Sequence, residues 1–276
     1  MDILLIGAGN MGFALLKRWT EFTQHRFSVV ELTEALRDRA RAHGAVVFAA
    51  YEDLPDNLRV DAVVLATKPQ IAGDVARLYA SFLKPGGFIV SIAAGVNVRT
   101  LQNYTGNAIA IVRCMPNTPV STGLGVIACF LNDLVTPNQA DSALLLLSSL
   151  GIVEIIADEA LMDCFTAVAG SGPAYVFHFI EALAGAAEAN GLSPDIALQV
   201  AKQTVLGAAT IAAQSSTTPS ELRMQVTSPN GTTAAGLAEL MNTENGLSPL
   251  IHATVSAARK RSLEIDTELT KVISDQ

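Results

Sequence analysis

Two stretches hold residue types whose spacing implies chemistry, and neither relies on a charged side chain. The first is Gly7-Ala8-Gly9-Asn10-Met11-Gly12, placed between the apolar run Ile3–Ile6 and a helical pattern of Phe13, Ala14, Leu15, Leu16 and Trp19. In a G-x-G-x-x-G turn Gly7 bends the chain, Gly9 lets backbone approach a pyrophosphate, and Gly12 lets helix pack on strand. A second strand, Phe27 to Glu31, ends in an acid where a carboxylate accepts hydrogen bonds from an adenosine ribose. The second stretch is Val226–Leu240, V-T-S-P-N-G-T-T-A-A-G-L-A-E-L. Ser228, Pro229, Asn230 and Gly231 make a turn that delivers Thr232 and Thr233 to the start of a helix. Unpaired N–H groups and the positive end of the helix dipole can hold a carboxylate or phosphate there without Arg or Lys. An ordinary capped helix is the plainer account of the same residues.

These groups need a frame, and the apolar periodicity supplies one. Short runs at Val46–Phe48, Ala62–Ala66, Phe88–Ile92 and Ile109–Arg113 alternate with helical segments near Glu34–His43, Ile71–Phe82 and Val98–Tyr104. Val126–Leu131, Pro137–Leu150 and Ile152–Ala157 add strand, helix and strand. The pattern predicts an α/β fold, a doubly wound and mainly parallel sheet covered on both faces. Ligands in such sheets sit beyond the carboxyl ends of the strands. The loops there are Ala66-Thr67-Lys68-Pro69-Gln70, Ala93-Ala94-Gly95, and Met115 to Pro119 around Asn117, whose small residues and prolines suit close approach of a flat nicotinamide. Lys68 could meet a phosphate or act as an acid; simple turn chemistry is the alternative for each loop. From Asp158 onward the period is helical almost throughout, which places a dinucleotide-binding domain at 1–157 and an all-α domain at 158–276.

Composition narrows the function classes. Half of the 276 residues are hydrophobic and 16% charged, which predicts apolar surface buried between subunits. The net charge of -8 argues against nucleic-acid binding, and Arg259, Lys260 and Arg261 read as a solvated helix face. Cys114, Cys129 and Cys164 read as reduced core thiols, and the scattered His and Cys match no metal site, so no metal is expected. With no basic leader before the first strand and no span judged apolar enough for a membrane helix, a cytoplasmic protein is expected.

Six motifs in order give the chain a family resemblance: G-A-G-N-M-G (Gly7–Gly12), A-T-K-P-Q (Ala66–Gln70), S-I-A-A-G (Ser91–Gly95), R-C-M-P-N-T-P (Arg113–Pro119), G-S-G-P-A-Y (Gly170–Tyr175) and S-P-N-G-T-T (Ser228–Thr233). On these the sequence resembles the pyrroline-5-carboxylate reductase family over essentially its whole length. The resemblance implies an N-terminal Rossmann domain, a helical dimerisation domain, and homodimers that assemble further. It implies reduction of the cyclic imine 1-pyrroline-5-carboxylate to L-proline with NADPH or NADH, at a site where one subunit's cofactor loops meet its partner's helical domain. The substrate positions implied are Ser228, Asn230, Gly231, Thr232 and Thr233: the backbone around Gly231–Thr233 would take the carboxylate, and the Thr233 hydroxyl, the catalytic candidate, would reach the ring nitrogen.

The chain departs from the family at two points. Asn230 stands where the family has a glycine, and Asn tolerates positive φ next best. Met224 stands four residues before the serine, where the family often has an acid. Glu31 favours NADH on charge, whereas the resemblance implies NADPH for much of the family, and Arg37, Arg39 and Arg41 offer an alternative phosphate site. A β-hydroxyacid dehydrogenase would need a lysine on the helical domain. Lys202, the candidate, lacks the expected companions. A non-catalytic dinucleotide sensor would not need the Ser228–Thr233 pocket.

Overall fold

The structure, a computed structural model, describes residues 1–274. Eight strands form one sheet in the order β3-β2-β1-β4-β5-β6-β7-β8: β1 (Asp2–Ile6), β2 (Arg26–Val30), β3 (Val46–Phe48), β4 (Val60–Leu65), β5 (Leu83–Ser91), β6 (Ala110–Pro116), β7 (Gly125–Leu131) and β8 (Gly151–Ile155). All neighbours are parallel except β6 and β7. The exception has a local cause. Between β6 and β7 lie only residues 117–124, too few for the crossover helix that a parallel return requires.

Helices α1 (Asn10–Phe22), α2 (Glu34–Ala42), α3 (Ala72–Tyr79), α4 (Val98–Thr105) and α5 (Pro137–Ser148) cover the sheet. Two apolar layers result. One contains Leu5, Leu15, Trp19, Val64 and Leu146, the other Leu4, Ile6, Val63, Tyr79 and Ile89. Strand residues alternate between the two layers because successive side chains point to opposite faces. The Trp19 indole N–H, buried in the first layer, donates to the Leu146 carbonyl at 2.9 Å. Strand order reverses between β1 and β4, so the loops after these strands flank the crevice where such sheets bind ligands.

The chain divides into two compact units, the first Met1–Gly170 together with the chain from Ala258 onward, the second Ser171–Ala257. This division differs from the 157/158 boundary expected from periodicity. Residues 158–170 are helical, as read, yet they pack on the first unit: α6 (Met162–Phe165) buries Met162 in a small cluster with Ala128 and Ile156. Glu159 accepts from the Arg113 guanidinium at 2.7 Å and from the Val98 N–H at 2.8 Å. Ser262, near the end of the chain, donates to Asp163 at 2.6 Å.

The second unit consists of α7 (Gly172–Ala189), α8 (Pro194–Gln214), α9 (Pro219–Gln225), α10 (Thr232–Leu240) and the first turns of α11 (Leu247–Ser274). Its burial is slight: one residue of α7, Ala184, and two of α8, Ala197 and Ala201, are buried. Phe177, Leu206, Ile211 and Leu250 are each about 60% exposed. Contrary to the sequence reading, α8 is long and apolar enough to cross a membrane by length and composition. The reason is its filling of Ala, Val, Leu and Ile around only two charged residues, Asp195 and Lys202. Cys114 and Cys129 are buried opposite each other on β6 and β7, while Cys164 is exposed rather than in the core. The Cys114 thiol is pushed up by its hydrogen bond with Cys129 and by burial.

Candidate active site

The dinucleotide candidates lie in the first unit. Gly7 sits at φ +92°, conformational space that favours glycine, and its N–H donates to the Val30 carbonyl at 2.9 Å. A methyl group on Gly7 would stand 2.6 Å from the Ala66 carbonyl oxygen, and one on Gly12 would stand 2.2 Å from that of Gly7. These glycines therefore close the β1 turn against β4 and α1. Gly9 is different, since a methyl group there would meet nothing within 4 Å. It is the N-cap of α1 and makes no side-chain cap, so the first amides of α1, at Asn10 and Met11, have no side-chain acceptor.

The neighbouring loops are tied to this turn by backbone. The Ala66 N–H donates to Ile6 and the Ile92 N–H to Leu65, at 2.9 and 3.0 Å. The hydroxyl oxygen of Thr67 is buried without a hydrogen-bond partner, an orphan of the kind a bound polar group satisfies. Lys68 is exposed and caps the short turn begun by Pro69, with no ion pair among the described residues. Ala93 is buried, Ala94 exposed, and Gly95 takes φ +72°. Open space before Gly9, uncapped α1 amides and the orphaned Thr67 hydroxyl fit a dinucleotide pyrophosphate and its neighbouring groups.

Two candidates have side chains engaged in the fold. Asn117, 7% exposed, accepts from the Val126 N–H at 2.9 Å and donates to the Ala169 carbonyl at 3.0 Å. It thus fastens the start of β7 to the wide π-type turn Thr166–Gly170. Glu31 accepts from the Ala8 N–H at 2.8 Å and from the Thr33 N–H at 2.9 Å. Its carboxylate is fixed at the glycine turn. Sequence reasoning missed Glu159, which anchors both α4 and β6; no local signal marks a partner 61 residues from Val98 and 46 from Arg113.

The substrate candidates lie in the second unit. Ser228–Gly231 forms a β-turn closed by the Gly231 N–H on the Ser228 carbonyl at 3.0 Å. Pro229 and Asn230 occupy its corners, and Asn230 is the one non-glycine residue at positive φ among the described residues, at +58°. This is a type II arrangement, which needs φ > 0 at the third residue. Gly231 is the N-cap of α10 and offers no side-chain acceptor. A methyl group on it would lie 2.3 Å from the Ser228 hydroxyl oxygen, so that hydroxyl and the bare N-cap share one place. Ser228, Thr232 and Thr233 are exposed. From Met224 to Ala258 the chain has no Lys or Arg. Within this stretch, the groups on offer to an anion are amides and hydroxyls.

Comparison with known proteins shows the family of the chain. Residues 159–265 match the model described as pyrroline-5-carboxylate reductase dimerisation, and residues 2–95 match that described as NADP oxidoreductase, coenzyme F420-dependent. Pyrroline-5-carboxylate reductase of Pseudomonas aeruginosa is 38% identical over 97% of this chain and 97% of its own. The chain belongs to the pyrroline-5-carboxylate reductase family. The solved pyrroline-5-carboxylate reductase of Coxiella burnetii superposes with a TM-score of 0.88 at 32% identity, covering 95% of this chain and 97% of that one. The pyrroline carboxylate reductase of Plasmodium falciparum, solved with NADP bound, gives 0.82 at 28% identity, covering 96% and 98%. The family's dimerisation module begins at Glu159, close to the onset of continuous helix, whereas the contact boundary falls after Gly170.

Proposed function

We infer that this chain is an NAD(P)H-dependent oxidoreductase acting on a cyclic imine: it reduces 1-pyrroline-5-carboxylate to L-proline, the reductive step of proline biosynthesis. The observation that carries this reading is 38% identity to a pyrroline-5-carboxylate reductase over 97% of both chains. The uncapped start of α10 behind a Pro-Asn turn gives it a physical basis.

A dinucleotide held in the first unit would supply the hydride for the imine carbon. For the chain's own residues we propose the following roles. The amides at Gly231–Thr233 hold the substrate carboxylate by charge-assisted hydrogen bonds and the positive end of the α10 dipole. Ser228 adds a hydroxyl beside them, and Asn230 sets the turn. The Thr233 hydroxyl accepts the N–H of the protonated imine, orienting the ring so that the reacting atoms meet at about 3 to 3.5 Å. Since the iminium is already electrophilic, orientation is the main catalytic contribution, and no strong base is demanded. Gly7, Gly9, Asn10, Met11 and Gly12 hold the pyrophosphate, Glu31 the adenosine ribose, and the loops at Ala66–Pro69, Ala93–Gly95 and Asn117 the nicotinamide end.

The exposed apolar faces of α7 and α8 are the surface that a second copy of this chain would cover, in keeping with the dimerisation module. We propose a homodimer as the minimum assembly, its partner chain completing each site. This accounts for the hydropathy of α8 without a membrane, and we propose a cytoplasmic location. The test is oxidation of NADH or NADPH by the purified protein, followed by absorbance with 1-pyrroline-5-carboxylate. Imine-dependent loss of reduced cofactor with L-proline as product is expected. No imine-dependent rate with either cofactor would overturn the reading.

A further inference from the structure

We propose that this enzyme selects NADH over NADPH, that Glu31 makes the selection, and that Arg37 and Arg39 stand ready to accept a 2′-phosphate once Glu31 loses its charge. The inference rests on the reading of the chain as a dinucleotide-dependent reductase. A carboxylate has about four acceptor positions. In Glu31 one on each oxygen is taken, by Ala8 N–H at 2.8 Å and Thr33 N–H at 2.9 Å. The remaining positions are acceptors fixed beside the glycine turn. Ribose hydroxyls can donate to them. A 2′-phosphate, at close to two negative charges near neutral pH, offers acceptors to acceptors and charge to like charge.

The nearby guanidinium groups keep their charge, but the donors they use point at backbone carbonyls rather than at the Glu31 carboxylate. Arg37 Nη1 donates to the carbonyls of Glu31 and Leu32, at 2.9 and 2.7 Å. Arg39 Nη2 donates to the Ala8 carbonyl at 2.8 Å, its guanidinium lies 3.8 Å over the Phe13 ring, and its Nε is buried without a partner. Arg41 pairs with Asp38 on the same helix. The Glu31 carboxylate thus keeps its free acceptor positions unpaired with either guanidinium, while Arg37 and Arg39 stand close by on α2.

Fluorescence titration of the full-length protein with NADH and NADPH, without imine, tests this. Wild type should bind NADH at least about tenfold more tightly than NADPH, the scale of one like-charge contact. Glu31→Gln keeps an acceptor but no charge and should shrink that ratio to about threefold or less. Glu31→Ser should favour NADPH, and Glu31→Ser with Arg37→Ala should lose that gain. If the variants fail to fold, wild type still decides through competition for bound NADH: AMP should displace it, and adenosine 2′,5′-bisphosphate should not. Equal or tighter binding of NADPH by wild type, or an unchanged ratio in a folded Glu31→Gln, would overturn the selection and leave the reductase reading standing. Binding of neither dinucleotide would overturn both.

Discussion

Replacing Gly231 by Ala separates the stability of α10 from its proposed use as a carboxylate seat. The backbone there, φ -82° and ψ 170°, suits any residue, so strain is not the issue. The added methyl would stand 2.3 Å from the Ser228 hydroxyl oxygen and 3.1 Å from the Ser228 carbonyl oxygen. The hydroxyl must turn away, and its carbonyl neighbour stays tight. Loss of a favourable N-cap residue to Ala costs about 1 kcal/mol of folding stability. Displacing one or two hydrogen bonds to a charged carboxylate costs about 1.5–3 kcal/mol each in substrate binding, a fall in kcat/KM of about ten- to a hundredfold or more. The assay is steady-state kinetics with 1-pyrroline-5-carboxylate beside urea denaturation of the same preparations. Asn230→Gly is the control: it relieves φ +58° and should keep both activity and stability within about 0.5 kcal/mol. A Gly231→Ala enzyme with unchanged kcat/KM would refute the seat. So would losses in kcat/KM no larger than those caused by Asn230→Gly.

Three further outcomes are expected. Thr233→Ala should lower kcat severely while folding and dinucleotide binding persist, and wild-type turnover by the variant would remove Thr233 from the mechanism. Asn117→Ala leaves the Val126 N–H and the Ala169 carbonyl without partners and should cost about 2–3 kcal/mol in urea denaturation. A change below about 0.5 kcal/mol would show that the clamp is not needed. Hydrogen bonds from Arg26 and then Lys84 hold the Asp2 carboxyl down to about 2 from 3.8. That shift corresponds to about 2.5 kcal/mol before screening, and about 1 kcal/mol once solvent screens its largely exposed partner Arg26. The contribution is complete above about pH 4, the unfolded value, and disappears as the pH falls through the folded value near 2. Stabilities of wild type and Asp2→Asn should thus differ at pH 7 and converge near pH 2; a difference that stays constant with pH would contradict the assignment.

Much of the architecture could be read from the sequence because its signals are local. The strands coincide with apolar runs, several of them closed directly by Gly7, Asn117 or Asn132, and helices such as α1 and α3 carry their own apolar stripes, so the eight strands fall where the runs do. Gly7, Gly9 and Gly12 were legible for the same reason, as was the Ser228–Gly231 turn, in which Asn230 takes the positive φ expected of it. What escaped the sequence depends on distant partners. Glu159 bonds to Arg113 and Val98, and Asn117 to Ala169, across gaps that no periodicity reports. These bonds also carry residues 158–170 onto the first unit, past the point where helix begins. The length and hydropathy of α8 were passed over in the sequence because Asp195 and Lys202 interrupt the run, although composition alone separates a protein-covered helix from a lipid-facing one poorly.

On the proposed mechanism the opening of α10, rather than a cationic side chain, holds the acid group of a small cyclic imine. A crystal structure with L-proline and a dinucleotide bound tests it most directly. The account predicts the proline carboxylate within about 3 Å of the amides at Gly231–Thr233. A carboxylate bound instead by Lys68, Lys202 or an arginine, with those amides facing water, would contradict it.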